Sequence, residues 1–144
     1  MKGNYNIPVV DIILRREGKI LFLLRQNTGH NDGLYALPGG HLEGDESFKE
    51  AACRELLEET GIKISQDQLV HRITFHGLDH EDTNRVGVYF EAINWQGEPQ
   101  NLEPEKHGEL AWFDQDNLPE TITPHARLKL ENIRKNETYI EYGN

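Results

Sequence analysis

Apolar residues crowd two early runs, Ile7 to Arg16 and Lys19 to Arg25, with only Glu17-Gly18 between them. Two runs rich in Val, Ile, Leu and Phe around a two-residue polar break predict a β-hairpin with a tight turn. Asn27 to Gly33 is polar and holds Gly29 and Gly33, the pattern of a mobile loop. Tyr35-Ala36-Leu37 then enters Pro38-Gly39-Gly40, where the chain must turn sharply. The clearest helical segment is Ser47 to Thr60. Ser47-Phe48-Lys49-Glu50 forms a capping box at its start and Gly61 a C-terminal cap at its end. Further on, Gln68 to Phe75 and Arg85 to Asn94 predict strands joined by a polar connection from Gly77 to Asn84. Gly97 to Gly108, with Pro99 and Pro104, predicts a loop, Glu109 to Phe113 a short strand, and Pro124 to Lys135 a second amphipathic helix. With no repeat or linker in view, residues 1–144 are expected to form one α/β domain, a mixed sheet with two helices.

Composition narrows the function. The apolar share of 36% and charged share of 28% suit a packed globular chain, not a disordered one. A formal net charge of −10 argues against a broad surface for long nucleic acid or an anionic membrane, yet a bound cation can reverse the field locally. Cys53 is the single cysteine, so no internal disulfide forms, and it is read as an inert packed thiol on another helix face from the glutamates. Ile7 to Leu14 is interrupted by Pro8 and Asp11 and reads as a strand, not a leader or membrane span; a cytoplasmic location is the resulting expectation.

Glu55, Glu58 and Glu59 stand at i, i+3 and i+4, within one helix face at about 100° per residue. Such a trio is either a solvated acidic face or a cation site. Phe48, Ala51 and Ala52 project to the same side, which favours a cleft over open water. Carboxylate oxygens of this kind suit Mg²⁺, with Mn²⁺ as the alternative. Gly39 and Gly40 just upstream permit close approach of the backbone, so a carbonyl and the carboxylates can face one ion. Arg54 is expected to pair with Glu50, four residues earlier.

Gly40, Glu46 and Arg54-Glu55-Leu56-Leu57-Glu58-Glu59-Thr60-Gly61-Ile62 together resemble the signature box of the Nudix hydrolases without a mismatch, and Leu37-Pro38-Gly39 precedes it. The resemblance implies an α/β/α sandwich and a metal-dependent pyrophosphohydrolase acting on phosphoric anhydrides. It also implies that Glu55, Glu58 and Glu59 bind metal, with the Gly40 carbonyl, and that Glu55 or Glu58 helps to activate water. In the branch that hydrolyses oxidised nucleotides, a further glutamate follows a Gly-Glu-Pro stretch. Gly97-Glu98-Pro99 followed by Glu103 is similar, which makes Glu103 a candidate fourth ligand or base as against an exposed loop carboxylate.

The same resemblance implies a small nucleotide-like substrate. ADP-ribose hydrolases of the family often carry a proline roughly fifteen residues beyond the box glycine, where this chain has Phe75-His76-Gly77. The diadenosine polyphosphate branch places a tyrosine slightly further on, where Leu78 or Asp79 stands. A nucleoside triphosphate, giving the monophosphate and pyrophosphate, is the remaining expectation, although Thr121-Ile122-Thr123-Pro124-His125 lacks that branch's base-reading pattern. The alternatives are a nucleotide sugar or other nucleoside diphosphate derivative, and a non-catalytic nucleotide-binding module. A monomer or homodimer without membrane contact is expected. Arg25 and Arg85 are candidates for phosphate, and Tyr35, Phe75, Tyr89 and Phe90 for base stacking, each weighed against an ordinary surface or core role. His76 and His80 are read as loop residues and not a zinc pair, and Trp112 and Phe113 as core.

Overall fold

Along the first strand, inward-facing residues serve two different cores. The computed structural model describes residues 5–78 and 83–143. Strand β1 (Tyr5–Ile13) turns Val10 and Ile12 to one side and Ile13 to the other, all fully buried. A segment apolar on both faces belongs in a sheet interior, and β1 lies between β5 (Gly39–His41), antiparallel to it, and β7 (Thr83–Ala92), parallel to it. The sheet continues through β6 (Leu69–Leu78) to β9 (Tyr139–Gly143), in the order β5-β1-β7-β6-β9. A second sheet joins β2 (Arg15–Arg16), β3 (Lys19–Arg25) and β4 (Tyr35–Ala36), with β8 (His107–Asp114) on the other edge of β3.

Two helices cover opposite faces, an α/β/α sandwich. Helix α1 (Phe48–Thr60) buries Ala51, Ala52 and Leu56 against Val10, Ile12, Val88 and Phe90. Its predicted ends hold: Ser47 Oγ accepts from the Glu50 amide, Glu50 accepts from the Ser47 amide, and Gly61 is left-handed at φ 78°. Helix α2 (Pro124–Arg134) packs Ala126 and Leu130 against Ile13, Phe22 and Tyr89 on the other side.

The differences from the sequence reading have physical causes. The predicted hairpin is confined to residues 14–16 against 19–21, because the chain up to Ile13 belongs to the other sheet. Gly77-Leu78 and Thr83-Asn84, read as a polar connection, continue β6 and β7, since backbone pairing outweighs local polarity at a strand end. Asp79 and His80 lie outside the described residues, while His76 Nε2 meets Asn6 Oδ1 at 2.9 Å. The 27–33 loop is tied by Asp32, whose carboxylate accepts from the Thr28 and Gly29 amides. Strand β9 has no clear sequence signature, because its exposed Tyr139 and Glu141 hide the alternation with Ile140 and Tyr142. Trp112 and Phe113 are only partly buried, and Trp112 stacks on Trp95 beneath the Arg16 guanidinium.

Candidate active site

The α1 glutamates do not share one environment. Glu59 is 5% exposed and its Oε1 accepts from the Gly39 amide at 2.8 Å. Glu55 is largely buried, whereas the Glu58 side chain keeps half of its surface in solvent. Gly40 lies directly over Glu55: a Cβ there would sit 2.5 Å from Glu55 Oε1. Glu103 comes in from the loop before β8, and ligand atoms of Glu59, Glu103 and His107 lie within 4.8 Å of one another. The structure therefore brings Glu103 and His107 to Glu59, sets Glu55 and Glu59 against the Gly39-Gly40 stretch of β5, and leaves Glu58 at the rim.

Arg54 orders this edge, through partners other than the expected Glu50, whose carboxylate is occupied at the helix cap. It donates to Glu46 at 2.6 and 3.0 Å, to Glu55 at 3.0 Å, to Glu58 at 3.2 Å and to the His41 carbonyl at 3.1 Å. The fork of the guanidinium can hold several oxygens at once, which a lysine cannot.

Burial pushes the Glu59 carboxyl well above its usual range, and the charges of Glu55 and Glu103 push it further. Burial raises Glu55 as well, against the pull of Arg54. Like charges held together at this cost are the environment a divalent cation relieves. His107 Nε2 stops 3.5 Å from Glu59 Oε2, and its buried Nδ1 has no hydrogen-bond partner among the described residues. Burial, then Arg25 and Lys106, lower its pKa and keep the imidazole neutral, the form that ligates metal. The donor set of carboxylates and an under-bonded imidazole fits a divalent ion.

A cavity of about 190 Å³ opens on the opposite side of the glycine pair. Successive residues of β5 face opposite ways, so Gly40 borders Glu55 while a Cβ on Gly39 would overlap Asp11 Oδ1 and the Val10 carbonyl. Arg25, Arg85, Phe75 and Tyr89 line this cavity, as does His125. Phe90 packs instead on the α1 side, and Tyr35 turns its hydroxyl to Glu109 and its ring edge to Phe113.

Two cavity residues escaped the sequence reading. Lys129 is 1% exposed, lies over the rings of Phe75 and Tyr142 at 4.1 and 4.2 Å, and donates to Tyr142 Oη at 2.8 Å. Burial lowers its pKa to about 8. Asp11 is raised by burial to about 6, partly offset by Lys129. Burial also lowers His125 to about 4. The available signal was positional: Lys129 shares the apolar face of α2 with Ala126 and Leu130, and Asp11 interrupts a buried strand. His107 could have been flagged by its place four residues after Glu103.

A family model described as the NUDIX domain matches residues 6–133. A CTP pyrophosphohydrolase of Escherichia coli (strain K12) is 42% identical over 106 residues, covering 74% of this chain and 74% of that protein. An ADP-ribose pyrophosphatase of Methanocaldococcus jannaschii is 31% identical over 126 residues, 87% of this chain and 72% of that protein. Among solved structures, a MutT NUDIX hydrolase from Burkholderia pseudomallei superposes with a TM-score of 0.78 at 30% identity, covering 88% of this chain and 96% of its own.

Proposed function

The chain belongs to the Nudix hydrolases, pyrophosphohydrolases that act on phosphoric anhydrides, and we propose that it cleaves a nucleoside triphosphate to the monophosphate and pyrophosphate with Mg²⁺, or Mn²⁺ in its place. One observation carries this reading: the Gly39-Gly40 stretch of β5 separates a carboxylate cluster from a cavity lined by basic and aromatic residues. A diphosphate lying across this strand would have its charged bridge beside Glu55 and Glu59 and its organic end in the cavity.

Glu55, Glu58, Glu59 and Glu103, with the Gly40 carbonyl, are the proposed metal ligands, and Glu55, Glu58 or Glu103 the group that takes the proton from the attacking water. When bound, the cation neutralises phosphate oxygens and acidifies water, which is the main electrostatic contribution in such displacements. The chain's own part is positional. Arg54 holds Glu55 and Glu58 against their mutual repulsion, and the Gly39 amide fixes one oxygen of Glu59 so that the other faces the cluster. Arg25 and Arg85, which line the cavity wall, are the proposed partners of phosphate oxygens. Phe75 and Tyr89 supply apolar surface for a base, with Lys129 and Asp11 offering a donor and an acceptor.

A second reading, hydrolysis of a nucleoside diphosphate joined to another group such as a sugar, is favoured by the similarity to the ADP-ribose pyrophosphatase. A phosphate-release panel run with and without inorganic pyrophosphatase separates the two. Signal from triphosphates only when pyrophosphatase is added supports the first reading. Release from nucleotide sugars after phosphatase treatment, with triphosphates inert, overturns it in favour of the second.

A further inference from the structure

We propose that His107 is a direct nitrogen ligand in the cation site, and that it tilts the site towards Mn²⁺ and other first-row transition ions over Mg²⁺. The proposal rests on the metal-dependent reading above and goes beyond it in assigning an imidazole to an otherwise oxygen-based site.

Three observations carry it. His107 is 6% exposed, and its Nδ1 is fully buried. Nδ1 has no hydrogen-bond partner among the described residues, and Nε2 stands 3.5 Å from Glu59 Oε2, beyond a good hydrogen bond. A buried polar group left in this condition is costly unless something else completes it. Lastly, ligand atoms from Glu59, Glu103 and His107 lie within 4.8 Å of one another. Atoms bound to one ion at about 2.2 Å stand roughly 3 Å apart when adjacent and about 4.4 Å when opposite, so the group is sized for a single cation.

The protein also fixes the set from both ends. The Gly39 amide occupies Glu59 Oε1 and leaves Oε2 towards His107. The Asn101 amide donates to the His107 carbonyl at 2.7 Å, anchoring the backbone from which the imidazole projects. Mg²⁺ favours oxygen and gains little from imidazole, whereas Mn²⁺, Co²⁺ and Zn²⁺ accept nitrogen readily.

The test is electron spin echo spectroscopy of the intact protein loaded with Mn²⁺ alone, prepared with natural and ¹⁵N-labelled histidine. Direct ligation gives a nitrogen modulation that changes with the label and disappears in His107→Gln. Calorimetry on the same pair should show Mn²⁺ affinity falling at least tenfold, within the range for losing a metal-site partner, and Mg²⁺ affinity falling less than threefold. Absence of histidine modulation in the labelled wild type overturns the assignment without recourse to any variant, as does equal weakening of both ions. If diphosphate hydrolysis persists in that case, the functional reading survives. Neither ion binding, together with no hydrolysis, overturns both.

Discussion

Arg54 holds Glu46 through two hydrogen bonds, Nε to Oε2 at 2.6 Å and a terminal nitrogen to Oε1 at 3.0 Å. The same guanidinium reaches Glu55 and Glu58, so one side chain ties the loop before α1 to the proposed metal ligands. Arg54→Lys keeps the charge and loses the fork. It should cost about 1–2 kcal/mol of stability, a drop of several degrees in Tm, together with a tenfold or greater loss of turnover. Parallel melting curves and steady-state rates check both effects.

The two adjacent glycines should fail differently when each is replaced by alanine. A Cβ on Gly39 overlaps the Val10 carbonyl, which cannot move without disturbing β1; Gly39→Ala should unfold the protein or lower Tm severely. On Gly40 the obstacle is the Glu55 carboxylate, 2.5 Å away at the end of a flexible side chain. Gly40→Ala should therefore melt within a few degrees of wild type and lose activity by roughly a hundredfold. Comparable Tm losses in the two variants would contradict the assignment of one glycine to the fold and the other to the site.

Glu59 is stabilised as the neutral acid in the ion-free fold, because burial and Glu55 raise its pKa above the ordinary 4.5. An acid raised on folding imposes no cost below pH 4.5; the cost grows as pH rises from there through the folded pKa, so it is present at pH 8. In chelator at pH 8, Glu59→Gln should melt higher than wild type, and the difference should vanish near pH 4. Divalent cation should raise the wild-type Tm and leave the variant's nearly unchanged, while the variant's turnover falls roughly a hundredfold or more.

Lys129 gives the cavity its own pH dependence. The folded pKa of about 8 leaves the amine charged at pH 7 and neutral by pH 9, whereas the unfolded amine titrates near 10.5. Burial of the charge therefore costs stability below pH 8, a cost that falls away between 8 and 10.5. If the amine meets substrate, KM should rise about tenfold as pH passes from 7 to 9, the size of a lost charged hydrogen bond. Lys129→Met should start at the high KM and show no such rise.

The box helix was legible in full because its signals are local. Ser47, Glu50 and Gly61 act within a turn of the chain, and the spacing of Glu55 and Glu59 follows from helix geometry alone. Arg54 shows where local reasoning stops. Glu50 at i−4 is the expected partner, but the capping box had already occupied it, and Glu46 was brought close by the loop. The route of β1 was likewise hidden, since an apolar run next to a turn predicts a hairpin whichever sheet claims it. Lys129 and Asp11 needed the two faces of the sandwich to be known before a polar residue could be seen as inward-facing.

The central claim, that the α1 glutamates hold a catalytic cation, is tested most directly by anomalous scattering from crystals soaked in Mn²⁺. The account predicts a peak at about 2.2 Å from carboxylate oxygens of Glu55 and Glu59, beside Gly40. No density between those side chains at saturating Mn²⁺, with the carboxylates turned to water, would contradict it.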